Sequence, residues 1–264
     1  MLEAPTHLVL IPSYNPGARL LSTVREALAC WPEVWVVVDG STDGSEADLA
    51  SLPAEFPGFR LIIRERNGGK GAAVLTGTTA ALAAGFTHAL VMDADGQHPA
   101  DRIQDFMATS RAHPAAMVLG KPIFGPEVPL ERLYGRQLSI GLTHVETLGR
   151  VIGDPLFGFR IYPLQPLEHA LLQTRTARGY DFDPEVVVRL FWAGVPVINV
   201  PAACRYLPKD QGGVSHFHYL RDNLKMVRLH ARLLAELALC WPAVRRVRRQ
   251  LSTQPSPTVE ASSR

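Results

Sequence analysis

The chain has 264 residues, 47% hydrophobic and 20% charged, with a formal net charge of +2. Such a chain buries on the order of 70% of its unfolded surface, so one compact domain with an extension is the expected organisation. Three widely separated cysteines, Cys30, Cys204 and Cys240, support neither a disulfide framework nor a zinc site. The amino terminus lacks a signal peptide's basic and apolar segments, and no apolar run approaches the ~20 residues that span a bilayer.

Leu8-Val9-Leu10-Ile11 reads as a short apolar strand ending in Pro12-Ser13-Tyr14-Asn15-Pro16-Gly17, and Val34 to Val38 as a second ending in Asp39-Gly40-Ser41-Thr42-Asp43-Gly44. Each is a strand, then a polar loop, then a helix. Repetition of that unit predicts an α/β fold with a mostly parallel sheet covered by helices on both faces. Ligands of such sheets lie outside the carboxyl ends of the strands, so Tyr14, Asp39, Asp93 and Asp95 are expected on one rim. Next comes Arg66-Asn67-Gly68-Gly69-Lys70-Gly71, where glycines admit a ligand close to the backbone and Lys70 supplies a compact charge. It opens a helix of small residues over 72–84, whose amino end favours an anion. The loop is neither a phosphate loop of the Gly-x-x-x-x-Gly-Lys-Ser/Thr kind nor a dinucleotide fingerprint.

The apolar run 86–92 predicts a buried strand that stops at Asp93-Ala94-Asp95-Gly96-Gln97-His98-Pro99. In an extended segment residues i and i+2 point the same way, so Asp93, Asp95 and Gln97 can share one hard cation, Mg2+ or Mn2+, and leave positions open for a substrate diphosphate. An acidic turn capping the next helix is the plainer reading of Asp-x-Asp alone. His98 reads as a residue leading into a helix. Further on, Asp183 and Glu185 suit the first turn of a helix with Pro184 at its start. His216 and His218 lack a third metal ligand.

Charge is uneven. From residue 201 there are eleven Lys or Arg against four Asp or Glu, whereas the first 200 residues carry 16 against 21. Apolar residues at Phe217, Leu220, Leu224, Val227, Ala231, Leu234 and Ala238 follow helix period, and Arg221, Lys225, Arg228 and Arg232 form a basic stripe beside them. Two readings fit: a helix lying on an anionic membrane surface, or one packed on its own domain or on a sister subunit in a homodimer. Few aromatics interleave the basic stripe, which argues against nucleic acid. The Pro/Ser-rich end predicts disorder.

Ile11-Pro12-Ser13-Tyr14-Asn15, Val38-Asp39-Gly40-Ser41-Thr42-Asp43-Gly44, Gly69-Lys70-Gly71-Ala72-Ala73 and Asp93 to Pro99 stand in the order found in inverting glycosyltransferases of family 2. Within that family they resemble the dolichyl- and polyprenyl-phosphate sugar transferases. The likeness continues through Arg136-Gln137-Leu138-Ser139, Asp154 to Arg160 and Arg178 to Glu185, covering roughly residues 6–207. A looser likeness over roughly 178–234, carried by Gly213-Val214-Ser215-His216-Phe217 and the Arg-Asp-Asn helix after it, is to transferases of aryl-polyene or xanthomonadin-type pigment clusters, and bears on the acceptor only.

The resemblance implies a GT-A nucleotide-sugar-binding catalytic domain over 1–210, to which charge, periodicity and composition add a basic amphipathic helical extension over 211–250 and a disordered tail over 251–264. It implies that Pro12, Tyr14, Asn15 and Asp39 hold the nucleoside and that Lys70 sits near the base or diphosphate. Asp93, Asp95 and Gln97 would carry the metal, and Arg136 and Arg160 would meet phosphate oxygens. The chain departs from the family at Val38, where a second Asp is common, and at Pro16, where Glu is common. The expected reaction is transfer of a sugar from a nucleotide diphosphate donor to a lipid-linked acceptor, on the cytoplasmic side and peripheral to the inner face of the cell membrane. A phosphate acceptor is already an anion and needs no base; a hydroxyl of a lipid or aryl polyene would need one, with Asp154 the first candidate and Asp183 the second. The competing readings are a sugar-nucleotide nucleotidyltransferase, for which 12–19 lacks the Gly-rich triphosphate loop, and a non-catalytic membrane-docked binding module.

Overall fold

Seven strands, β1 (His7–Ser13), β2 (Val34–Asp39), β3 (Phe59–Arg64), β4 (His88–Val91), β5 (Met117–Phe124), β6 (Arg160–Pro163) and β7 (Val197–Cys204), form one sheet in the order β3-β2-β1-β4-β6-β5-β7. This is a computed structural model, and it describes residues 5–125, 130–174, 176, 178–179, 181–205 and 219–253, the side chains of 130–134 and 219–221 excepted. All neighbouring strands are parallel except β6, which runs antiparallel to both β4 and β5. The mostly parallel α/β sheet expected from the apolar runs is therefore present.

Alternation along β1 explains the two-faced core. Val9 and Ile11 point to one side with Leu20 and Val24 of α1 (Arg19–Cys30) and with Ile103 and Phe106 of α4 (Ile103–Ala112). Leu8 and Leu10 point to the other, with Ala73, Val74 and Ala81 of α3 (Lys70–Ala83) and with residues of α6 (Leu164–Gln173) and α7 (Phe182–Trp192). A strand buried on both faces has no polar positions to spare, which is why these segments read as unbroken apolar runs. A short helix α2 (Leu52–Glu55) leads into β3, and α5 (Leu130–Glu146) follows β5.

The last helix, α8 (Tyr219–Ser252), packs on the body through Leu229, Leu233, Leu237 and Val244, all buried. This differs from the expected stripe: Leu224 and Val227 are 49% and 60% exposed. The expected basic stripe differs as well. Lys225, its side chain 41% exposed, pairs within the helix with Asp222 at 3.3 Å, whereas Arg232 is bound to Glu185 of α7, so of these two Arg232 is taken up by the body. Among the described residues no helix is long and apolar enough to cross a membrane. His216, His218 and the tail beyond residue 253 lie outside the described residues.

Candidate active site

Three loops meet at the carboxyl ends of β1, β2 and β4. Asn15, in the left-handed region at φ 44°, accepts the Thr42 amide on its side-chain oxygen at 2.8 Å, and its own amide donates to Ser41 Oγ at 3.1 Å. The Asp43 carboxylate accepts the Gly17 amide at 2.9 Å, so the loops after β1 and β2 are stitched into one wall. Tyr14 stands on that wall, 41% exposed, while Pro12 is buried within β1. Asp39 also lies inside: its carboxylate accepts the amides of Gly68 and Gly69 at 3.1 and 2.7 Å and pairs with Arg64. Burial leaves Pro12 and Asp39 little surface to offer a nucleoside, and Asp39 has a structural task beside the expected one. Asp39 is 2% exposed because it satisfies the amides of the loop that delivers Lys70.

Gly69 holds φ 85°, and a Cβ there would lie 2.2 Å from the Arg178 carbonyl oxygen. That close approach and conformation admit only glycine comfortably. They set Lys70 at the start of α3 with its ammonium 2.7 Å from Asp93 Oδ1 and 2.7 Å from Asp183 Oδ2. In this structure Lys70 thus bridges the end of β4 to the start of α7. Burial works against its charge, but the two carboxylates outweigh it and raise its pKa.

Asp93 and Asp95 follow β4 on the rim, with Gln97 beside them, all partly exposed. The Asp95 carboxylate accepts the Gln97 amide at 3.0 Å. Burial first and the neighbouring Asp93 second push the Asp95 carboxyl up to about 6. Burial would raise Asp93 also, but the Lys70 ammonium prevails and holds it to about 2. His98 is a residue whose role the sequence reading missed. Its Nδ1 accepts the Asp93 amide at 2.9 Å, leaving Nε2 to carry the proton 3.7 Å from Asp93 Oδ2. Burial against Phe157 and Phe159 pushes its pKa down to about 4, so it braces Asp93 as a neutral ring. The signal was available in the five-residue closure from Asp93 to His98.

The opposite wall comes from 154–160 and α7. Asp154 accepts the amides of Leu156 and Phe157 at 2.7 and 2.9 Å through one oxygen and meets Arg136 Nε at 3.2 Å through the other. Arg160 is 0% exposed; it donates to Tyr162 Oη at 3.1 Å and to the Asp183 carbonyl at 2.9 Å, with Asp183 Oδ1 at 3.6 Å. The expected phosphate contact of Arg160 is thereby corrected: burial places it beneath the rim, where it braces Asp183. Arg136, its side chain 15% exposed, keeps an edge toward solvent. Among the described residues, Lys70 and Arg136, with Arg160 beneath them, stand against four carboxylates, Asp93, Asp95, Asp154 and Asp183. The rim is short of positive charge, and its oxygen donors suit a hard divalent cation. Among the described residues no group of three or more His, Cys, Asp or Glu is arranged to hold a metal, so a neutral oxygen such as that of Gln97 would have to complete the set.

Residues 8–171 match the family described as Glycosyl transferase family 2. The chain belongs to that family. Its members' activity class, glycosyl transfer, is therefore the activity class of this chain. Among curated relatives it is 29% identical over 200 residues to the polyprenol monophosphomannose synthase of Mycolicibacterium smegmatis, covering 74% of this chain and 75% of that one. It is 26% identical over 205 residues to the undecaprenyl-phosphate mannosyltransferase of Micrococcus luteus, covering 74% and 81%. Solved structures agree on the GT-A fold. Residues 1–349 of Staphylococcus aureus TarS in complex with UDP-GlcNAc superpose with a TM-score of 0.59 at 17% identity, over 94% of this chain and 72% of that one. The mannosyltransferase PcManGT of Pyrobaculum calidifontis, in complex with GDP-Man and Mn2+, gives 0.58 at 19%, over 97% and 77%. A longer TarS structure is spanned over only 38% of its length.

Proposed function

We propose that this family 2 member is a metal-dependent inverting transferase that passes one sugar from a nucleotide diphosphate donor to a polyprenyl-phosphate-like lipid acceptor. The observation that carries the reading is the paired Asp93 and Asp95 at the end of β4, with more carboxylate than cation around them. Asp93 and Asp95, with Gln97, would hold Mg2+ or Mn2+, which when bound supplies charge to offset a departing nucleoside diphosphate. Tyr14 and Asn15, on the wall built by the β1 and β2 loops, would contact the nucleoside.

A phosphate acceptor is favoured over a hydroxyl by the state of the two candidate bases. Asp154 is held by two amides and Arg136, and Asp183 by Lys70, so both carboxylates are already engaged in holding the site together. A lipid phosphate needs none; positioning and charge compensation suffice. The relatives named for polyprenol and undecaprenyl phosphate support the same acceptor class. A polyprenyl chain resides in a bilayer, so the enzyme would work as a peripheral protein at the inner face of the cell membrane.

The test is transfer in detergent from a panel of UDP- and GDP-sugars to a short-chain polyprenyl phosphate, with Mn2+ or Mg2+. One donor should yield the lipid-linked sugar, and chelation should stop it. Full turnover by a variant carrying both Asp93→Ala and Asp95→Ala would overturn the reading.

A further inference from the structure

α8 carries two apolar stripes, and only one is used by the fold. Its inner side is fixed at several points: Arg189 of α7 meets Glu236 at 3.0 Å, Arg232 holds Glu185, and His230 meets Glu146 at 2.7 Å and Ser139 at 3.1 Å. Those bonds, with the buried Leu229, Leu233 and Leu237, determine which side faces out. The outward side presents Leu224 and Val227, 49% and 60% exposed, then Leu239 and Trp241, 87% and 46% exposed. At about 100° per residue Leu224, Val227 and Leu239 fall with Ala231, Ala235 and Ala238 on the arc away from the buried leucines, and Trp241 stands at its edge, one turn beyond Leu237.

The same arc is basic at its carboxyl end. Arg245, Arg246 and Arg249 are exposed there, and with Trp241 and Pro242 they line an open depression of about 320 Å³. The acids of the described helix do not reach this side: Asp222 is buried, and Glu236 is engaged by Arg189 and Arg232. An apolar strip ending in three guanidiniums beside an indole, with no carboxylate, matches a surface that is hydrocarbon below and anionic above. We infer that the outward face of α8 docks on a bilayer of anionic phospholipid, with Leu224, Val227, Leu239 and Trp241 at the acyl boundary and the Arg245–Arg249 cluster on lipid phosphates. This deepens the lipid-acceptor reading and rests on it for the presence of a membrane. The apolar members of this face, Leu224, Val227, Ala231 and Ala238, are those expected from periodicity, whereas its basic end differs from the expected stripe, since Arg232 is bound to Glu185 of α7 and Lys225 to Asp222 of its own helix.

The test is co-sedimentation with vesicles of phosphatidylglycerol and phosphatidylcholine, against phosphatidylcholine alone, at low and high salt. Wild type should bind the anionic vesicles and be released by salt, because surface charges are screened within ~10 Å at 0.1 M. The variant Arg245→Glu, Arg246→Glu, Arg249→Glu should bind on the order of 100-fold more weakly, and Leu239→Asp should also weaken binding. Both should keep the wild-type melting temperature and the wild-type rate on a detergent-solubilised short-chain acceptor. Wild type that ignores anionic vesicles, or variants that bind like wild type, would overturn the inference. So would a wild-type dimer in light scattering that the variants convert to monomer without any vesicle binding, for then a second copy covers this face. Vesicle binding uses neither donor nor acceptor, so loss of transfer with binding intact would count against the proposed reaction alone.

Discussion

Replacing Asp183 by Asn tests both the bridge that holds Lys70 and the choice of acceptor. Asn keeps an oxygen near Lys70 Nζ but loses the charge 2.7 Å from that ammonium and 3.6 Å from the fully buried Arg160. Charged hydrogen bonds contribute about 1.5–3 kcal/mol and neutral ones about 0.5–1.5, so the exchange alone costs about 1–2 kcal/mol. Breaking a buried ion pair outright costs about 3–5 kcal/mol, but Lys70 retains Asp93, which keeps the loss near the lower figure. At about 2–4 °C per kcal/mol for a chain of this size, the melting temperature should fall by about 2–8 °C. A change below 1 °C would refute the bridge. The kinetic arm is independent: with a phosphate acceptor, Asp183 acts only by orienting Lys70, and kcat should fall no more than about tenfold with an unaltered pH profile. A general base contributes about 10²–10⁴-fold, so a thousandfold loss with the basic limb of the profile abolished would show that Asp183 takes a proton and would sink the phosphate-acceptor argument.

Gly69→Ala should be strongly destabilising, since the φ of 85° alone costs a side-chain residue about 1–3 kcal/mol and the new Cβ meets the Arg178 carbonyl; a melting temperature within 1 °C of wild type would show that the loop yields freely. A pH effect is expected from the stacked pair His7 and His88, 4.5 Å apart in the core. Burial first, and His88 second, push His7 down to about 4, and burial lowers His88 too. Because these folded-state values lie below the unfolded ~6.5, the contribution is fully present above about pH 6.5 and is lost as pH falls toward 4, with a ceiling near 3 kcal/mol for His7. Unfolding free energy measured across pH 4–7 should fall less steeply in His7→Gln than in wild type, and parallel curves would refute the assignment.

Strands buried on both faces leave an unambiguous mark, and β1, β2 and β4 lie within two residues of the runs 8–11, 34–38 and 86–92 that announce them. Their carboxyl-terminal loops were legible for the same reason, because a polar segment after such a run has nowhere to go but the rim. What the sequence did not disclose depends on partners distant in the chain. Arg160 has the same side chain whether it meets a phosphate or lies at 0% exposure beneath Asp183, and only the antiparallel insertion of β6 between β4 and β5 decides it. Helix period in α8 likewise allows two stripes. Leu229, Leu233 and Leu237 are buried because Glu185 and Arg189 of α7 capture Arg232 and Glu236, and no periodicity within α8 contains that information.

The first turn of α7 joins these two regions. Asp183 points to Lys70 and the rim, whereas Glu185, two residues on and about 200° around the helix, is 2% exposed and holds both Arg189 and Arg232. α7 therefore receives α8 on one side and presents a carboxylate to the site on the other. The Arg232–Glu185 pair fixes the outward stripe of α8 relative to the helix that carries Asp183. Because Asp183 and Glu185 lie on one helix, a surface engaged by the outward face of α8 would be held at a fixed angle to the rim. In the proposed reaction a lipid phosphate would have to approach Asp93 and Lys70 in one orientation for in-line displacement, and a helix tied to the body by part-buried ion pairs would supply that constraint, whereas a basic tail on a flexible tether would supply only proximity.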